Sequence, residues 1–213
     1  MNMLKYELNL IGHGYKSIAG VDEVGMAPLA GPIVAAVVIL DLDKAQNATV
    51  GLHLKTKIKQ VTINDSKQLS VREREAIYPK IMEITKSCAL GIVTVEEINA
   101  IKNIYQCGIL ARKRAVQNLL VKPDYILVDG PIQISQLGIP CQAIIKGDTL
   151  SISIAAASIV AKIRRDAYMC ELAKEYTHYG WEKNVGYPTT QHRKAIKEYG
   201  ICKHHRVHLC YTV

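Results

Sequence analysis

Residues 33–40 of this 213-residue chain form one continuous apolar run, IVAAVVIL, and this run limits the fold more than any other segment. It is rich in β-branched residues, and it is far shorter than the roughly 20 residues that cross a bilayer. Such a run is typical of a strand buried on both faces, as in sheets that carry helices on both sides. It therefore predicts a central strand of an α/β domain and no membrane span.

Predicted strands and helices alternate along the rest of the chain. Ser70 and Glu73 form a capping box in front of one helix, and Pro79 inside that helix predicts a kink or a break. Residues 50–61 alternate apolar and basic residues, which favours an edge strand or hairpin with a solvated lysine face. We predict strands over 18–24, 88–95, 125–128 and 141–145, and helices over 71–86, 103–120, 151–176 and 189–199. This order indicates one α/β domain over residues 1–213, with a helical, basic C-terminal extension from about residue 177.

The composition is that of a folded, basic protein. Lys and Arg number 27 against 19 Asp and Glu, so the net charge is +8, and hydrophobic residues make up 49%. Basic domains often bind nucleic acid or a membrane surface, although many basic enzymes bind neither. The first ten residues do not resemble a signal peptide, and the six cysteines form no C-x-x-C pair. We expect a cytoplasmic protein with reduced thiols, no membrane partner and a monomeric state.

Three apolar runs end in carboxylates. Asp22 and Glu23 follow residues 18–21, Asp129 follows residues 126–128, and Asp148 follows residues 143–147. Strand ends are where open α/β sheets collect ligands and catalytic groups. Four carboxylates in one place would raise each other's pKa unless a cation neutralised them, and oxygen ligands favour Mg²⁺ or Mn²⁺ over Zn²⁺. Two such ions on a carboxylate cluster can hydrolyse a phosphodiester.

The same residues have plainer interpretations. Asp129 with Gly130 is a common turn pair, and Asp148 could be the N-cap of the following helix. Asp22 and Glu23 are adjacent, so on a regular strand they point to opposite faces, and one site takes both only if the chain bends. Gly25 permits such a bend. The spacing alone leaves these alternatives open.

Short sequence blocks narrow the choice, because they occur together and in a particular order. They are AGVDEVG at 19–25, PLAGP at 28–32, NDSKQLS at 64–70, VDG at 128–130, KGD at 146–148, AASIVAK at 156–162 with RD at 165–166, GYPT at 186–189 and HHR at 204–206. The series resembles ribonuclease HII, the type 2 ribonuclease H family, over about residues 18–206.

The resemblance implies a ribonuclease H-like fold, with a mixed five-stranded sheet flanked by helices and a helical C-terminal part. It implies hydrolysis of the RNA strand of RNA–DNA hybrids, and cutting of duplex DNA on the 5′ side of an embedded ribonucleotide to leave 3′-hydroxyl and 5′-phosphate ends. Two divalent ions, Mg²⁺ or Mn²⁺, would be bound. The family's catalytic and metal-binding carboxylates fall on Asp22, Glu23, Asp129 and Asp148, and its substrate-binding positions fall on Gly25, Met26, Ala27, Ser66, Lys67 and Tyr187.

One loop departs from the family pattern. Where the family usually has Gly-Arg-Gly, this chain has Gly25, Met26 and Ala27, so the loop loses a cation and gains a Cβ. We expect cleavage to persist with altered affinity or junction preference, and we expect Met26→Arg to tighten substrate binding. Residues 43–62 also look longer than usual, and their lysines favour a solvated edge over a phosphate contact.

Three other functions remain as rivals. They are a nuclease of the same fold that cuts DNA alone, a hybrid-binding protein without catalysis, and a general RNA-binding protein. The last two give no reason for strands to end in carboxylates. Residues 202–210 contain two Cys and three His but match no ordinary zinc pattern, so we expect this tail to pack on the domain or contact nucleic-acid backbone.

Overall fold

The structure is a computed structural model that describes residues 3–46 and 69–210. The strands are β1 (Ile18–Val24), β2 (Ile33–Leu40), β3 (Thr85–Val93), β4 (Tyr125–Asp129) and β5 (Cys141–Ile144). The helices are α1 (Lys5–Gly12), α2 (Val71–Glu83), α3 (Val95–Ile101), α4 (Ile104–Gln117), α5 (Ile152–Glu175), α6 (Trp181–Asn184), α7 (Thr190–Tyr199) and α8 (Val207–Cys210). Single 3₁₀ turns lie at Gly147–Thr149 and Thr177–Tyr179.

The five strands form one mixed sheet in the order β3-β2-β1-β4-β5. The β1–β2 and β2–β3 pairs are antiparallel, whereas β1–β4 and β4–β5 are parallel. All eight residues of β2 are buried, as its apolar run predicts. The predicted fold class, a mixed five-stranded sheet flanked by helices, is confirmed.

Two helices cover the opposite faces of the sheet, and glycines let them approach it closely. Alternate residues of β2 pack with α5 on one face and with α4 on the other. A Cβ on Gly20 of β1 would lie 2.1 Å from the Ser153 carbonyl carbon of α5. A Cβ on Gly91 of β3 would lie 2.0 Å from the Ala111 carbonyl oxygen of α4. Side chains at either glycine would therefore push a helix off the sheet.

Several element boundaries differ from the sequence prediction. Pro79 does not break α2, which runs on to Glu83, because Ile77 and Ile81 on either side of the proline are buried against the core. β3 begins at Thr85 rather than at residue 88. Helices α1 and α3 were not predicted, although α3 starts with a capping box of its own. The predicted strand or hairpin at 50–61 lies outside the described residues.

The outer edge of β3 is covered by side chains from α4. Arg114 donates to the Ile92 carbonyl at 2.7 Å, and Asn118 donates to the Leu90 carbonyl at 2.8 Å. Arg114 also forms two hydrogen bonds with Glu97, at 2.9 and 2.6 Å. This part of α4 is therefore engaged with the protein itself.

The segments after α5 return to the loop between β1 and β2. Trp181 is fully buried in a cluster that includes Ala30 and Met169, as expected for a packing residue. Ala30 forms an isolated β-bridge with His205. The tail thus packs on the domain, beside the ends of the central strands. Among the described residues, no helix combines the length and apolarity that crossing a bilayer requires.

Candidate active site

The parallel pairing of β1 and β4 brings two of the predicted carboxylates together. Val21 pairs with Val128, so the next residues, Asp22 and Asp129, lie side by side at the strand ends. Asp22 accepts the Glu23 backbone N–H at 2.7 Å and a hydrogen bond from the Ser158 side chain. Burial, followed by the charges of Glu23 and Asp129, raises the pKa of the Asp22 carboxyl well above its ordinary range.

Glu23 faces the opposite side of the sheet from Asp22. β1 remains regular through Val24, and Asp22 and Glu23 pair in turn with Ala36 and Ala35. The bend that would point both carboxylates to one side is therefore absent before Gly25. The Glu23 carboxylate is instead hydrogen-bonded and ion-paired to Arg112 of α4. Both side chains are largely buried.

The turn after β5 lies next to Asp129. The Gly147 N–H donates to the Asp129 carboxylate at 2.7 Å, and a Cβ on Gly147 would lie 3.4 Å from the same oxygen. Asp148, the next residue, is buried in the 3₁₀ turn. The N-cap of α5 is Ser151, whose side chain accepts the Ile154 N–H, so the interpretation of Asp148 as that cap is wrong.

The residue types of the predicted donor set suit a hard divalent cation. Within residues 3–46 and 69–210, no three His, Cys, Asp or Glu side chains are already grouped to hold a metal ion. Glu23 and Asp129 are instead occupied by Arg112 and Gly147. All four predicted ligands supply oxygen. Burial, then the charges of Glu23 and Asp129, raise the pKa of Asp22, and a bound cation would favour its charged form.

Two buried arginines hold the loop that follows β1. Arg206 donates to the carbonyls of Gly25 and Met26, at 2.6 and 3.2 Å, and twice to that of Gly31, at 2.9 and 2.8 Å. Arg165 donates to three more carbonyls, those of Pro32, Ala30 and Val185. Burial, then the neighbouring Arg165, lowers the pKa of Arg206 to about 9, so Arg206 remains cationic at neutral pH.

The altered loop residues suit this conformation. Gly25 has φ +95°, and a Cβ there would lie 2.5 Å from Arg165 Nε, so glycine is required. Ala27 is exposed and keeps a negative φ, which any residue adopts. Met26 packs against α4, where a Cβ on Gly108 would lie 3.0 Å from its sulfur. Backbone geometry therefore gives no reason for the loop to fail.

Tyr187 lies between the two arginines and the C-terminal helices. Arg165 Cζ is 5.9 Å and Lys162 Nζ is 5.5 Å from the centre of its ring. Its N–H donates to the Asn184 carbonyl at 2.8 Å, and its carbonyl accepts from His192 Nδ1 at 2.9 Å. The tyrosine is thus fixed at its backbone while its ring remains partly exposed.

A buried histidine pair supports that contact. Because His192 Nδ1 donates to a carbonyl, its neutral ring accepts at Nε2, where Trp181 Nε1 and His205 Nε2 both lie at 3.1 Å. The Cys202 N–H donates to His205 Nδ1, which fixes the His205 proton on Nε2. Burial, then His192, lowers the pKa of His205 to about 4, and burial lowers that of His192. The pair is neutral at physiological pH.

The roles of four residues at this site were not predicted from the sequence, and two of the predicted substrate-binding residues lie outside the described part of the chain. Arg165 and Arg206 stood in the blocks at 165–166 and 204–206, but nothing in the sequence showed that they hold backbone carbonyls. Arg112 and His192 carried no signal of their own, since an arginine in a helix usually contacts solvent. Asp166, which belongs to the block at 165–166, forms an ion pair with Lys162 at 2.8 Å within α5. Ser66 and Lys67 lie outside the described residues, so their predicted role in substrate binding stays a prediction.

Comparison with known proteins agrees with this geometry. The family model for ribonuclease HII matches residues 19–212. Ribonuclease HII from Ruegeria sp. strain TM1040 is 47% identical over 91% of this chain and 77% of its own length, and that of Magnetococcus marinus is 46% identical over 90% and 83%.

Solved structures share the fold. Ribonuclease H2 from Pyrococcus horikoshii superposes with a TM-score of 0.70 at 25% identity, covering 92% of this chain and 96% of that one. Bst-RNase HIII in complex with Mn²⁺ gives a TM-score of 0.66 at 21% identity, over 92% and 68% of the two chains. The match over nearly the whole sequence settles the identity: this chain belongs to the ribonuclease HII family of nucleases, which hydrolyse phosphodiester bonds.

Proposed function

We propose that this protein hydrolyses the RNA strand of RNA–DNA hybrids and cuts duplex DNA on the 5′ side of an embedded ribonucleotide, leaving 3′-hydroxyl and 5′-phosphate ends. The observation that carries the proposal is the pairing of Asp22 with Asp129 at the parallel strand ends, beside Glu23 and the Asp148 turn. The Mn²⁺ in the related type 3 enzyme is consistent with a site of hard oxygen ligands.

Asp22, Glu23, Asp129 and Asp148 would hold two Mg²⁺ or Mn²⁺ ions. The chemistry that such ions would supply is activation of the attacking water and stabilisation of the leaving 3′-oxygen. Within the protein, Ser158 and the Glu23 N–H orient the Asp22 carboxylate, and the Gly147 N–H orients that of Asp129. Preorganised carboxylates of this kind avoid reorganisation at the moment of reaction.

The substrate would lie across the loop at Gly25–Ala27 and the ring of Tyr187. We infer that Tyr187 contacts the ribose of the target nucleotide, since the 2′-hydroxyl is the one group that separates ribose from deoxyribose. Arg165 and Arg206 do not touch the substrate in this proposal. They hold the loop carbonyls and the Val185 carbonyl, and so fix the distance between the loop and the tyrosine.

A cleavage assay separates this function from its rivals. Labelled duplexes with one ribonucleotide, with no ribonucleotide and with a full RNA strand are incubated with Mg²⁺, Mn²⁺ or EDTA. We expect metal-dependent cutting 5′ of the ribonucleotide and within the hybrid, with all-DNA untouched. Cutting of all-DNA would favour the DNA-specific nuclease, and binding without cutting of any duplex would favour the non-catalytic protein.

Replacing either central carboxylate should stop turnover without unfolding the protein. Asp22→Asn and Asp129→Asn each keep the side-chain shape but remove a metal-binding charge, so we expect activity to fall at least about 10³-fold. Circular dichroism and thermal unfolding, measured without metal, should show a folded protein. Full activity in either variant would contradict the assignment of these residues.

A further inference from the structure

The altered loop leaves the active site without its usual side-chain cation. Met26 stands where the family has arginine, and its thioether packs on α4 beside Gly108. The loop backbone is held from behind by Arg206 and Arg165, whose charges are buried. The described part of the loop therefore presents no cation of its own to a phosphate.

A cation does reach the site, from another element. Arg112 lies one turn after Gly108 on the same face of α4. Its guanidinium bonds the Glu23 carboxylate, and its Nη2 lies 3.7 Å from where a Cβ on Gly130 would stand. It thus spans the ends of β1 and β4, the two strand ends that carry the catalytic carboxylates. It is also attracted electrostatically by Asp22 and Asp129.

The ion pair between Arg112 and Glu23 is buried, so breaking it is energetically unfavourable. The side chains of Arg112 and Glu23 are each only 10% exposed. Removing one partner of a buried pair leaves the other charge uncompensated, which strongly destabilises a protein. In the described part of the chain, Glu23 is the one carboxylate that Arg112 bonds. If Glu23 turns to a metal ion, Arg112 needs another anion.

We propose that Arg112 takes the place of the cation lost at Met26. In the free protein it is held by Glu23, and when Glu23 binds a divalent ion, Arg112 binds a backbone phosphate of the hybrid. This inference rests on the proposed function, because it assigns the phosphate contact to that substrate. Arginine suits the role, since its planar fork bonds carboxylate and phosphate in the same geometry.

Binding measurements test the phosphate contact directly. Anisotropy of a labelled RNA–DNA hybrid is followed against KCl concentration, with Ca²⁺ or EDTA, and gels confirm that the hybrid stays intact. We expect Arg112→Met to weaken binding about tenfold in Ca²⁺ and to reduce the slope of log K against log salt by about 1, which corresponds to one phosphate contact. In EDTA, where Arg112 stays on Glu23, the two slopes should agree.

The partner variants separate this role from simple structural support. Met26→Arg in the Arg112→Met background should restore affinity and slope, because it returns a cation from the loop. Arg114→Met is the matched control: it removes an equal charge two residues away, from a pair with Glu97, and should leave the slope unchanged. Arg112→Gln can still hydrogen-bond Glu23 but has no charge, so it should reduce the slope of log K against log salt by the same amount. It provides the test if Arg112→Met does not fold.

Metal binding provides a readout without nucleic acid. Calorimetric titration with Mn²⁺ should give tighter binding to Arg112→Met, since Glu23 no longer has to leave a guanidinium. An unchanged salt slope in Ca²⁺, or failure of Met26→Arg to restore it, would overturn the inference. If the unmodified protein neither binds nor cuts the hybrid, the proposed function itself is wrong. If it binds and cuts the hybrid but the Arg112 variants behave like the parent, only the role of Arg112 is wrong.

Discussion

At the scale of single residues, the site depends on buried polar groups that carry a fixed protonation state. His192 holds the Tyr187 carbonyl only while its own Nε2 accepts from Trp181 and His205. Protonating His192 would set a new N–H against both donors, and protonating His205 would set one against the Cys202 N–H. The histidine motif was visible in the sequence, but this arrangement was not, because it depends on residues from three separate segments.

The histidine pair should make stability depend on pH in a defined window. The pKa of His205 is about 4 in the folded protein, below its ordinary 6.5. The unfolded chain therefore binds protons first, so stability is full above about pH 6.5 and is lost as pH falls towards 4, by up to about 3 kcal/mol. Urea unfolding at several pH values measures this loss.

His205→Gln should be less stable at pH 7 yet show a shallower loss between pH 6.5 and 4. The exposed His13→Gln serves as the control and should retain the parental slope. Equal slopes for the parent and His205→Gln would contradict the assignment. The Glu97 carboxyl, whose pKa Arg114 lowers to about 2, loses its contribution below about pH 4.5 and so overlaps only the lower end of this window.

At the scale of elements, the apolar runs in the sequence were sufficient to predict the positions of most strands. β1, β2, β4 and β5 lie within a residue of their predicted bounds, because each is a short, mainly apolar run that a charged or turn residue closely follows. Pairing was not predictable in the same way. Whether Asp22 meets Asp129 depends on the parallel register of β1 and β4, which the local sequence does not encode. The expectation that Asp22 and Asp129 share one site came from the family resemblance.

Helix contact with the sheet leads to a second stability prediction. Gly20→Ala places a methyl group 2.1 Å from the Ser153 backbone, so α5 must move away from β1. We expect the free energy of unfolding to fall by about 3 kcal/mol, measured by urea denaturation. Gly12→Ala, which has no neighbour within 4 Å, is the control and should change stability by less than about 0.5 kcal/mol. A neutral Gly20→Ala would show that the helix can shift at no cost.

At the scale of the whole molecule, the C-terminal helices and the sheet are joined through the active-site loop. Arg206 reaches three loop carbonyls, and the Gly31 N–H donates to the His204 carbonyl at 2.9 Å. The sequence motifs at 19–32 and 186–206 appeared as separate blocks, and the structure explains why both are present. The residues of the two segments are hydrogen-bonded to each other.

Unfolding of the two parts should therefore coincide. Trp181 is the single tryptophan and lies in the C-terminal cluster, so its fluorescence reports that part, whereas far-ultraviolet circular dichroism reports the whole. The two urea transitions should overlay in the parent protein. In Arg206→Lys, which keeps the charge but loses the fork, the fluorescence transition should come first, with a loss of about 3 kcal/mol.

The exposed Arg193→Lys, whose Nε donates to the Pro188 carbonyl at 3.2 Å, is the matched control and should leave the transitions coincident. Coincident, unshifted transitions in Arg206→Lys would mean that the loop and the tail are held together by other contacts.

The covered edge of β3 has a consequence for the protein at high concentration. Its Leu90 and Ile92 carbonyls face outward, where a strand from a second molecule would otherwise add to the sheet. Arg114 and Asn118 already occupy those acceptors, so a competing strand must first displace two side chains of α4. The helix that carries Arg112 therefore also hinders the addition of a further strand at this edge of the sheet.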